Sequence, residues 1–253
     1  MIARNSQNNE PVSNARGSVN MIQNGSNTKI ATDAEFESDG TLFVSIGSNG
    51  PYSIDIQAEG FINHHLEFEV NCTSADCNPE KMVVMSPVLS PGETRIMMSW
   101  DELPADVDIH VMSIKKSDGS LCRTWYNHKT GCESISQDLD NTNGGFDGAE
   151  TVTLLNNTVN MNYNYLIAIE DYEFEEEGKQ FLNSGSGITI TNGVKTIEVD
   201  MKAESIEHET EFYLFGCLEV DAEGFFTFKS APDGTFFNGD NKESWRQMNS
   251  KFC

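Results

Sequence analysis

The sequence predicts an all-β protein with two β-sandwich domains in tandem, stapled by disulfide bonds and containing little helix. Segments such as TLFVSI and YSIDIQA alternate apolar and polar side chains, as strands with one buried face do. No stretch of twelve residues keeps the period of an amphipathic helix. Six cysteines, an even number, fall near turns in a loop-rich chain, a pattern typical of oxidising compartments.

The chain divides at a short Pro/Gly hinge, LSPGE, over residues 89–93. Residues 1–16 are polar and rich in Asn and Ser, which predicts a flexible arm, or a strand that becomes ordered only against a partner. Residues 17–88 are predicted to form the first β-sandwich. Residues 93–253 are predicted to form the second.

Strand-like text continues through the second domain, from TRIMMSW, VDIHVMSI and LCRTWY to TVTLL, NYLIAIEDY, GITITN, KTIEVDMK and EFYLFGCLEV. The acidic run EFEEEGK is interpreted as a solvated loop. The tail is rich in aromatic residues and ends at Cys253. We predict one short helical turn in it, over Glu243 to Met248.

The run ESDGTLFVSIGSNGPYSIDIQAEGFI, from Glu37 to Ile62, resembles the carboxypeptidase regulatory-like, transthyretin-type β-sandwich. The resemblance lies in a DG turn before one strand and in the alternating strand that ends in AEGF. It implies a small sandwich that serves as a structural or recognition spacer and not as an enzyme.

The pattern RIMMSW, DVDIHV and LDNTNGGFDGAETVTLL, from Arg95 to about Leu155, resembles the YfaP-like domain, a β-sandwich unit of secreted proteins. The chain departs from the family's sequence motif at Ala149, where Pro is usual, and at Ile109, where Leu is commoner. Neither change touches a polar group. This family supplies no established activity to carry over.

The chain is strongly acidic, with a formal net charge of −24 from 40 acids and 16 bases. Nucleic acids and anionic membranes both require a basic face, so we expect no nucleic-acid partner and no membrane insertion. Such acidity suits divalent cations or a cationic partner. The 15 Phe, 6 Tyr and 3 Trp supply enough apolar material for packed cores, which distinguishes the chain from a disordered acidic segment.

The cysteines allow fifteen pairings. We predict Cys72–Cys77 and Cys122–Cys132, because the members of each couple are close neighbours around loop-like text, which leaves Cys217–Cys253. A metal site is the rival interpretation, although the chain has no CxxC motif and no compact Cys/His cluster. Reduced thiols in a core are a further alternative.

Asn24, Asn71 and Asn156 each begin an N-x-S/T triplet, the acceptor sequence for N-glycosylation. With the predicted disulfides, they indicate an extracellular glycoprotein. The first residues show no hydrophobic signal segment, so a secreted form is expected to be processed from a longer precursor. No apolar run is long enough to span a bilayer.

Two acidic pairs predict a calcium site. Asp106 and Asp108 lie two positions apart on a predicted strand and so share one face, and Asp138 and Asp140 repeat that spacing. Calcium takes several carboxylate and carbonyl oxygens in flexible geometry. The alternative is a turn whose Asp and Asn side chains cap backbone N–H groups. The predicted ligands are Asp106, Asp108, Asp138, Asp140, Asn143 and Glu150.

No recognisable catalytic motif occurs: the chain contains no G-x-S-x-G, no H-E-x-x-H and no P-loop. His110 is a candidate ligand or base, and a hydrogen-bonded structural histidine is the commoner role. Trp125 and Tyr126, or the aromatic tail, are candidates for a sugar-stacking surface, with core packing as the alternative.

These observations favour a non-catalytic extracellular structural protein of a matrix, surface coat or filament. Its expected partners are other copies of itself or extracellular matrix proteins. The second hypothesis is a calcium-dependent module that binds carbohydrate or a mineral surface.

Overall fold

The computed structural model describes residues 1–23, 25–73, 81–100, 104, 106–142, 149–172, 185–201 and 211–253. It divides into two compact units, residues 1–88 and residues 89–253. Strands dominate both units, and within the described ranges helix occurs only in two segments of the second unit. The predicted all-β fold with little helix is therefore confirmed.

Unit 1 is built on a four-stranded antiparallel sheet with strand order β3-β2-β4-β5, and a parallel pair, β1 and β6, lies beside it. Its central strand β4 sends three wholly buried side chains, Tyr52, Ile54 and Ile56, into one hydrophobic core. The strands are β1 (Ile2–Asn5), β2 (Arg16–Gln23), β3 (Ser26–Glu35), β4 (Gly50–Gln57), β5 (His64–Val70) and β6 (Met82–Met85).

The prediction of a flexible arm over residues 1–16 is wrong. Strand β1 pairs with β6, and Ala3, Val12 and Ala15 are buried in the unit 1 core. These small apolar side chains are spaced among polar ones and show no strand-like alternation, so the composition conceals them. Gly40 allows the close approach of β1, because it has a φ of +80° and any Cβ there would lie 2.6 Å from the Ala3 carbonyl oxygen.

Unit 2 contains a five-stranded sheet, ordered β10-β11-β7-β13-β14, and a six-stranded sheet, ordered β16-β15-β12-β8-β9 with β17 also paired to β15. The strands are β7 (Thr94–Ser99), β8 (Val107–Lys115), β9 (Leu121–Thr124), β10 (Ile135–Leu139), β11 (Glu150–Leu154), β12 (Tyr163–Asp171), β13 (Gly187–Thr191), β14 (Thr196–Asp200), β15 (Glu211–Val220), β16 (Phe226–Ser230) and β17 (Phe236–Asn238). The described part of this unit contains the helices α1 (Asn157–Asn160) and α2 (Lys242–Phe252).

The two sheets of unit 2 enclose one hydrophobic core. It joins side chains from the five-stranded sheet, such as Ile96 and Val152, to side chains from the six-stranded sheet, such as Ile109, Ile167 and Phe215. Residues two apart on a strand point to the same side of the sheet, so alternate residues of β8 and β12 line this core. The intervening residues of these strands lie on the outer side of the six-stranded sheet.

Helix α2 covers part of that outer side. Trp245 is wholly buried there, packs against the rings of Phe212 and Phe237, and donates a hydrogen bond from Nε1 to the Gly239 carbonyl at 2.6 Å. Asn241 caps the helix by accepting from the Glu243 N–H. The helix has 11 residues and is longer than the predicted turn, and its residues Met248 and Phe252 also pack against the cluster that contains Trp245.

Two of the predicted disulfides are present, Cys122–Cys132 and Cys217–Cys253, each with a Cα–Cα distance of 5.6 Å. The second ties the end of α2 to β15. The predicted Cys72–Cys77 bond involves Cys77, which lies outside the described residues. In the described parts of the chain, no helix is both long and apolar enough to cross a membrane.

Of the predicted glycosylation sites, Asn71 and Asn156 are exposed, and Asn24 lies outside the described residues. The Asn156 carboxamide oxygen accepts from the Thr158 N–H and caps α1. An attached sugar at Asn156 would therefore have to coexist with this cap.

Candidate site: a buried carboxylate cluster

The site lies where β8 extends beyond its neighbour β9. The β8–β9 pairing covers only Val111 to Ile114 on β8, so Val107 to His110 have no β9 partner. The Ile109 N–H in this stretch instead donates to Glu150 Oε2 at 2.5 Å. Glu150 is the first residue of β11, in the opposite sheet, so this hydrogen bond connects the two sheets of unit 2.

Three carboxylates meet at this point. Asp106, Asp108 and Glu150 each place a carboxylate oxygen within 4.8 Å of the others. Glu150 is wholly buried, Asp108 is 2% exposed, and Asp106 is partly exposed. Asp108 Oδ2 has no hydrogen-bond partner in the described part of the chain. We call these three residues, with the neighbouring Asp140, the carboxylate cluster.

The cluster disfavours negative charge. Burial, reinforced by the charges of Asp106, Asp140 and Glu170, raises the pKa of Asp108 to about 8, and Lys129 offsets only part of this effect. Burial also raises the pKa of Glu150 well above its usual range, and the carboxylates of Asp108 and Asp140 add to the shift. The Ile109 N–H opposes it by stabilising the ionised form.

Asp140 and Asp138 have separate environments. Asp140 follows the end of β10, forms an ion pair with Lys129 at 2.7 Å, and raises the pKa of both Asp108 and Glu150. Asp138 accepts a hydrogen bond from Thr153 Oγ1 at 2.5 Å and lies 3.9 Å from Arg95 Nε.

The predicted alignment of Asp138 with Asp140 is therefore wrong. A β-bulge between Gln137 and Leu139 shifts the register of β10, and the strand ends before Asp140. The spacing of two residues then no longer places both side chains on one face. Asn143, also a predicted ligand, lies outside the described residues.

His110 and Glu170 adjoin the cluster on the outer side of the six-stranded sheet. Glu170 is the cross-strand partner of Asp108, and its Oε2 lies 3.1 Å from His110 Nε2. His110 is wholly buried, with its ring centroid 4.5 Å from that of Phe212 and 5.6 Å from that of Trp125. Burial lowers the pKa of His110, although Glu170 opposes the shift.

Sequence reasoning did not single out Glu170. The available signal was its position, because Glu170 directly follows the apolar run Tyr165–Ile169 within one strand. An acid in such a strand needs a polar partner or solvent. No comparable signal pointed to Lys129, because it lies in a segment without strand-like alternation.

An aromatic chain extends from His110 to the surface. The Trp125 ring packs on Tyr126 at a centroid distance of 4.6 Å, and Tyr126 packs on Tyr172 at 5.6 Å. Tyr172 is 57% exposed. Arg123 lies over the Trp125 ring, with its guanidinium carbon 4.2 Å from the ring centroid.

No family model and no curated protein matches this chain. Among solved structures, it is similar to the unknown-function protein SAV2460, with a TM-score of 0.44 and 17% identity over 59% of this chain and 91% of that one. It is also similar to SCO6318 from Streptomyces coelicolor A3(2), a homologue of the telluride resistance protein TerD, with a TM-score of 0.46 and 14% identity over 60% and 94% of the two chains.

A variant of BcpA, the major pilin subunit of Bacillus cereus, matches with a TM-score of 0.26 and 10% identity over 95% of both chains. At these scores and identities the three likenesses carry no functional argument.

Proposed function

We propose that this chain is a non-catalytic extracellular structural protein whose second unit binds Ca²⁺ at the carboxylate cluster. The observation that carries the proposal is the convergence of Asp106, Asp108 and Glu150 within 4.8 Å, with Asp108 and Glu150 buried. Buried carboxylates that face one another without a cation repel, and each loses its hydration. A divalent ion removes both costs.

The geometry suits calcium. Calcium holds six to eight oxygens at about 2.3–2.6 Å, so two oxygens on opposite sides of one ion are up to about 5 Å apart. The spread of 4.8 Å among the three ligand oxygens fits within that sphere. Asp140 adds negative charge beside these ligands, and partly exposed Asp106 leaves positions for water.

A bound ion would connect the two sheets of unit 2. Asp108 belongs to β8 in the six-stranded sheet, and Glu150 belongs to β11 in the five-stranded sheet. An ion held by both residues would stabilise this end of the sandwich. This arrangement supports a structural role, in which calcium and the disulfides Cys122–Cys132 and Cys217–Cys253 both rigidify the fold.

The remaining features support an extracellular location and protein partners. The disulfides suit an oxidising compartment, and weak extracellular calcium sites operate at the high calcium concentrations found there. The net charge of −24 argues against nucleic acid and anionic membranes. We propose other copies of this chain or extracellular matrix proteins as partners.

A second candidate function is calcium-dependent binding of carbohydrate or a mineral surface. It is favoured by the exposed Tyr172, which continues the aromatic chain beside the cluster. Tyrosine rings offer an apolar face to a sugar and a hydroxyl for hydrogen bonding. A polysaccharide pull-down that requires Ca²⁺ and is lost in Tyr172→Ala would support it, and retention of binding in that variant would exclude this surface.

Calcium binding is tested by calorimetry on chelator-treated protein, with thermal melting in Ca²⁺ and in chelator. We expect binding and a raised melting temperature in the wild type, and loss of both in Asp108→Asn. Asp138→Asn is the matched control, because Asp138 lies in the same unit and pairs with Arg95 instead. Calcium binding that survives Asp108→Asn, or disappears in Asp138→Asn alone, would contradict the assignment.

A further inference from the structure

The outer side of the six-stranded sheet carries a second group of ligand atoms with a different chemistry. Asp108, His110 and Glu170 place one imidazole nitrogen and two carboxylate oxygens within 4.8 Å of one another. Asp108 and His110 are alternate residues of β8, and Glu170 lies directly opposite Asp108 on β12. We infer that these three residues bind a divalent transition-metal ion, with Zn²⁺ as the best fit.

The distances agree with two ligands on one ion. Zinc binds nitrogen at about 2.0–2.1 Å and carboxylate oxygen at about 2.0–2.2 Å, so neighbouring ligands in a tetrahedral site are roughly 3.3 Å apart. His110 Nε2 and Glu170 Oε2 are 3.1 Å apart. Small adjustments of the Glu170 side chain, which is 22% exposed, suffice to admit the ion.

The state of His110 points independently to a ligand. Its ring is wholly buried, Nδ1 makes no hydrogen bond with any described residue, and Nε2 has Glu170 Oε2 beside it at 3.1 Å. A buried polar ring without such bonds is costly. Metal binding at Nε2 removes part of that cost. A neutral imidazole is the form that coordinates a metal.

The ligand set separates this ion from calcium. Imidazole nitrogen favours zinc and other first-row transition metals, whereas calcium prefers sites made only of oxygen. His110 and Glu170 are not among the proposed calcium ligands, so the inference does not depend on calcium binding. Asp108 is common to both groups, and its two oxygens allow it to contact an ion on either side.

The test uses full-length, metal-free protein and Co²⁺ as a spectroscopic probe for Zn²⁺. We expect Co²⁺ to give a visible absorption band that Zn²⁺ abolishes by displacement. Glu170→Gln should weaken Co²⁺ affinity at least about tenfold, on the scale of losses seen at metal sites. Glu219→Gln is the control, because Glu219 is a similarly half-buried glutamate of the same sheet and pairs with Lys116 and Lys229.

His110→Gln should abolish the band, and the partly exposed Glu170 provides a second variant if the buried substitution prevents folding. The inference is overturned if the wild type shows no Co²⁺ band, or if Glu170→Gln and Glu219→Gln bind Co²⁺ equally. Calcium calorimetry on the same samples separates the two sites. Glu150→Gln should impair Ca²⁺ binding and preserve the Co²⁺ band, so failure of one proposal leaves the other measurable.

Discussion

Strand β11 contributes to two buried polar clusters that differ in charge balance. Glu150 points inward and joins the carboxylate cluster, whereas Thr153 points outward and contacts Arg95 and Asp138. Arg95 and Asp138 carry opposite charges, and their side chains are only 3% and 18% exposed. The carboxylate cluster gathers four acids against Lys129, which is 44% exposed.

The difference shows which cluster has its charges balanced by groups of the chain alone. In the cluster of Arg95 and Asp138 the protein supplies both charges, so burial of each ion is compensated within the chain. In the carboxylate cluster the chain supplies an excess of negative charge, and the balance has to come from protons or from a bound cation. Burial raises the pKa values of Asp108 and Glu150, and the neighbouring carboxylates add to both shifts.

The largest expected effect comes from breaking the balanced cluster. Arg95→Met removes the cation and leaves Asp138 buried, so the free energy of unfolding should fall by about 3–5 kcal/mol. Urea unfolding measures the change. The loss should be equal in Ca²⁺ and in chelator, because this cluster needs no external ion. A loss that Ca²⁺ repairs would contradict the distinction between the clusters.

The next effect is the response of the unbalanced cluster to calcium. At a free Ca²⁺ concentration about a hundred times the Kd, the wild type should gain about 2.7 kcal/mol in unfolding free energy. The effect of Asp108→Asn on the unfolding free energy should have opposite signs in metal-free protein and in Ca²⁺. The substitution stabilises the metal-free protein at alkaline pH by removing a repelled charge, and it destabilises the protein in Ca²⁺ by removing a ligand. An equal effect of the substitution under both conditions would count against a bound ion.

The unfolding free energy of the metal-free protein should also depend on pH, with a smaller change for each pH unit. A folded pKa of about 8 for Asp108 exceeds the unfolded value near 4, so the folded state holds the proton more tightly. This contribution is fully present below about pH 4 and is lost as the pH rises to about 8, at up to about 1.4 kcal/mol per pH unit. Among the residues that the structure describes, the charged groups that face Asp108 are Asp106, Asp140, Glu150, Glu170 and Lys129.

Urea titrations between pH 4.5 and pH 8 measure this slope. Asp108→Asn should flatten it, and Asp138→Asn should leave it in place, because the Asp138 carboxylate is balanced by Arg95. A slope that is the same in the wild type and in Asp108→Asn would show that other groups produce it.

The strands and the shared face of neighbouring acids were easier to predict from the sequence than the contacts between residues of different strands. Alternation identifies the face of a strand, and so it placed Asp108 and His110 together. It contains no information on which strand pairs with which, and the contact between Asp108 and Glu170 depends on the β8–β12 register. The β-bulge in β10 separated Asp138 from Asp140 for the same reason, because bulges are not visible in the hydrophobic pattern.

Two elements were concealed by their polarity. The N-terminal segment is anchored by small apolar residues such as Ala3 and Ala15, and α2 is anchored by the buried Trp245 together with the partly buried Met248 and Phe252. Both segments are otherwise polar, so periodicity gives little signal. Their order comes from tertiary contacts, which include the Cys217–Cys253 bond at the end of α2.

The smallest expected effect concerns the cation nearest the carboxylate cluster. Lys129 pairs with Asp140 at 2.7 Å but is 44% exposed, so Lys129→Met should reduce the stability of the metal-free protein by less than about 1 kcal/mol. Calcium affinity should change in the opposite direction and rise roughly three- to tenfold, because removing a nearby positive charge removes roughly 1 kcal/mol or more of repulsion. Calorimetry measures the affinity, with Lys229→Met as the control, since Lys229 pairs with Glu219 away from the cluster. If calcium competes with Lys129 for the same excess charge, only the first substitution tightens binding; an equal rise in both variants would mean that net charge alone controls the affinity.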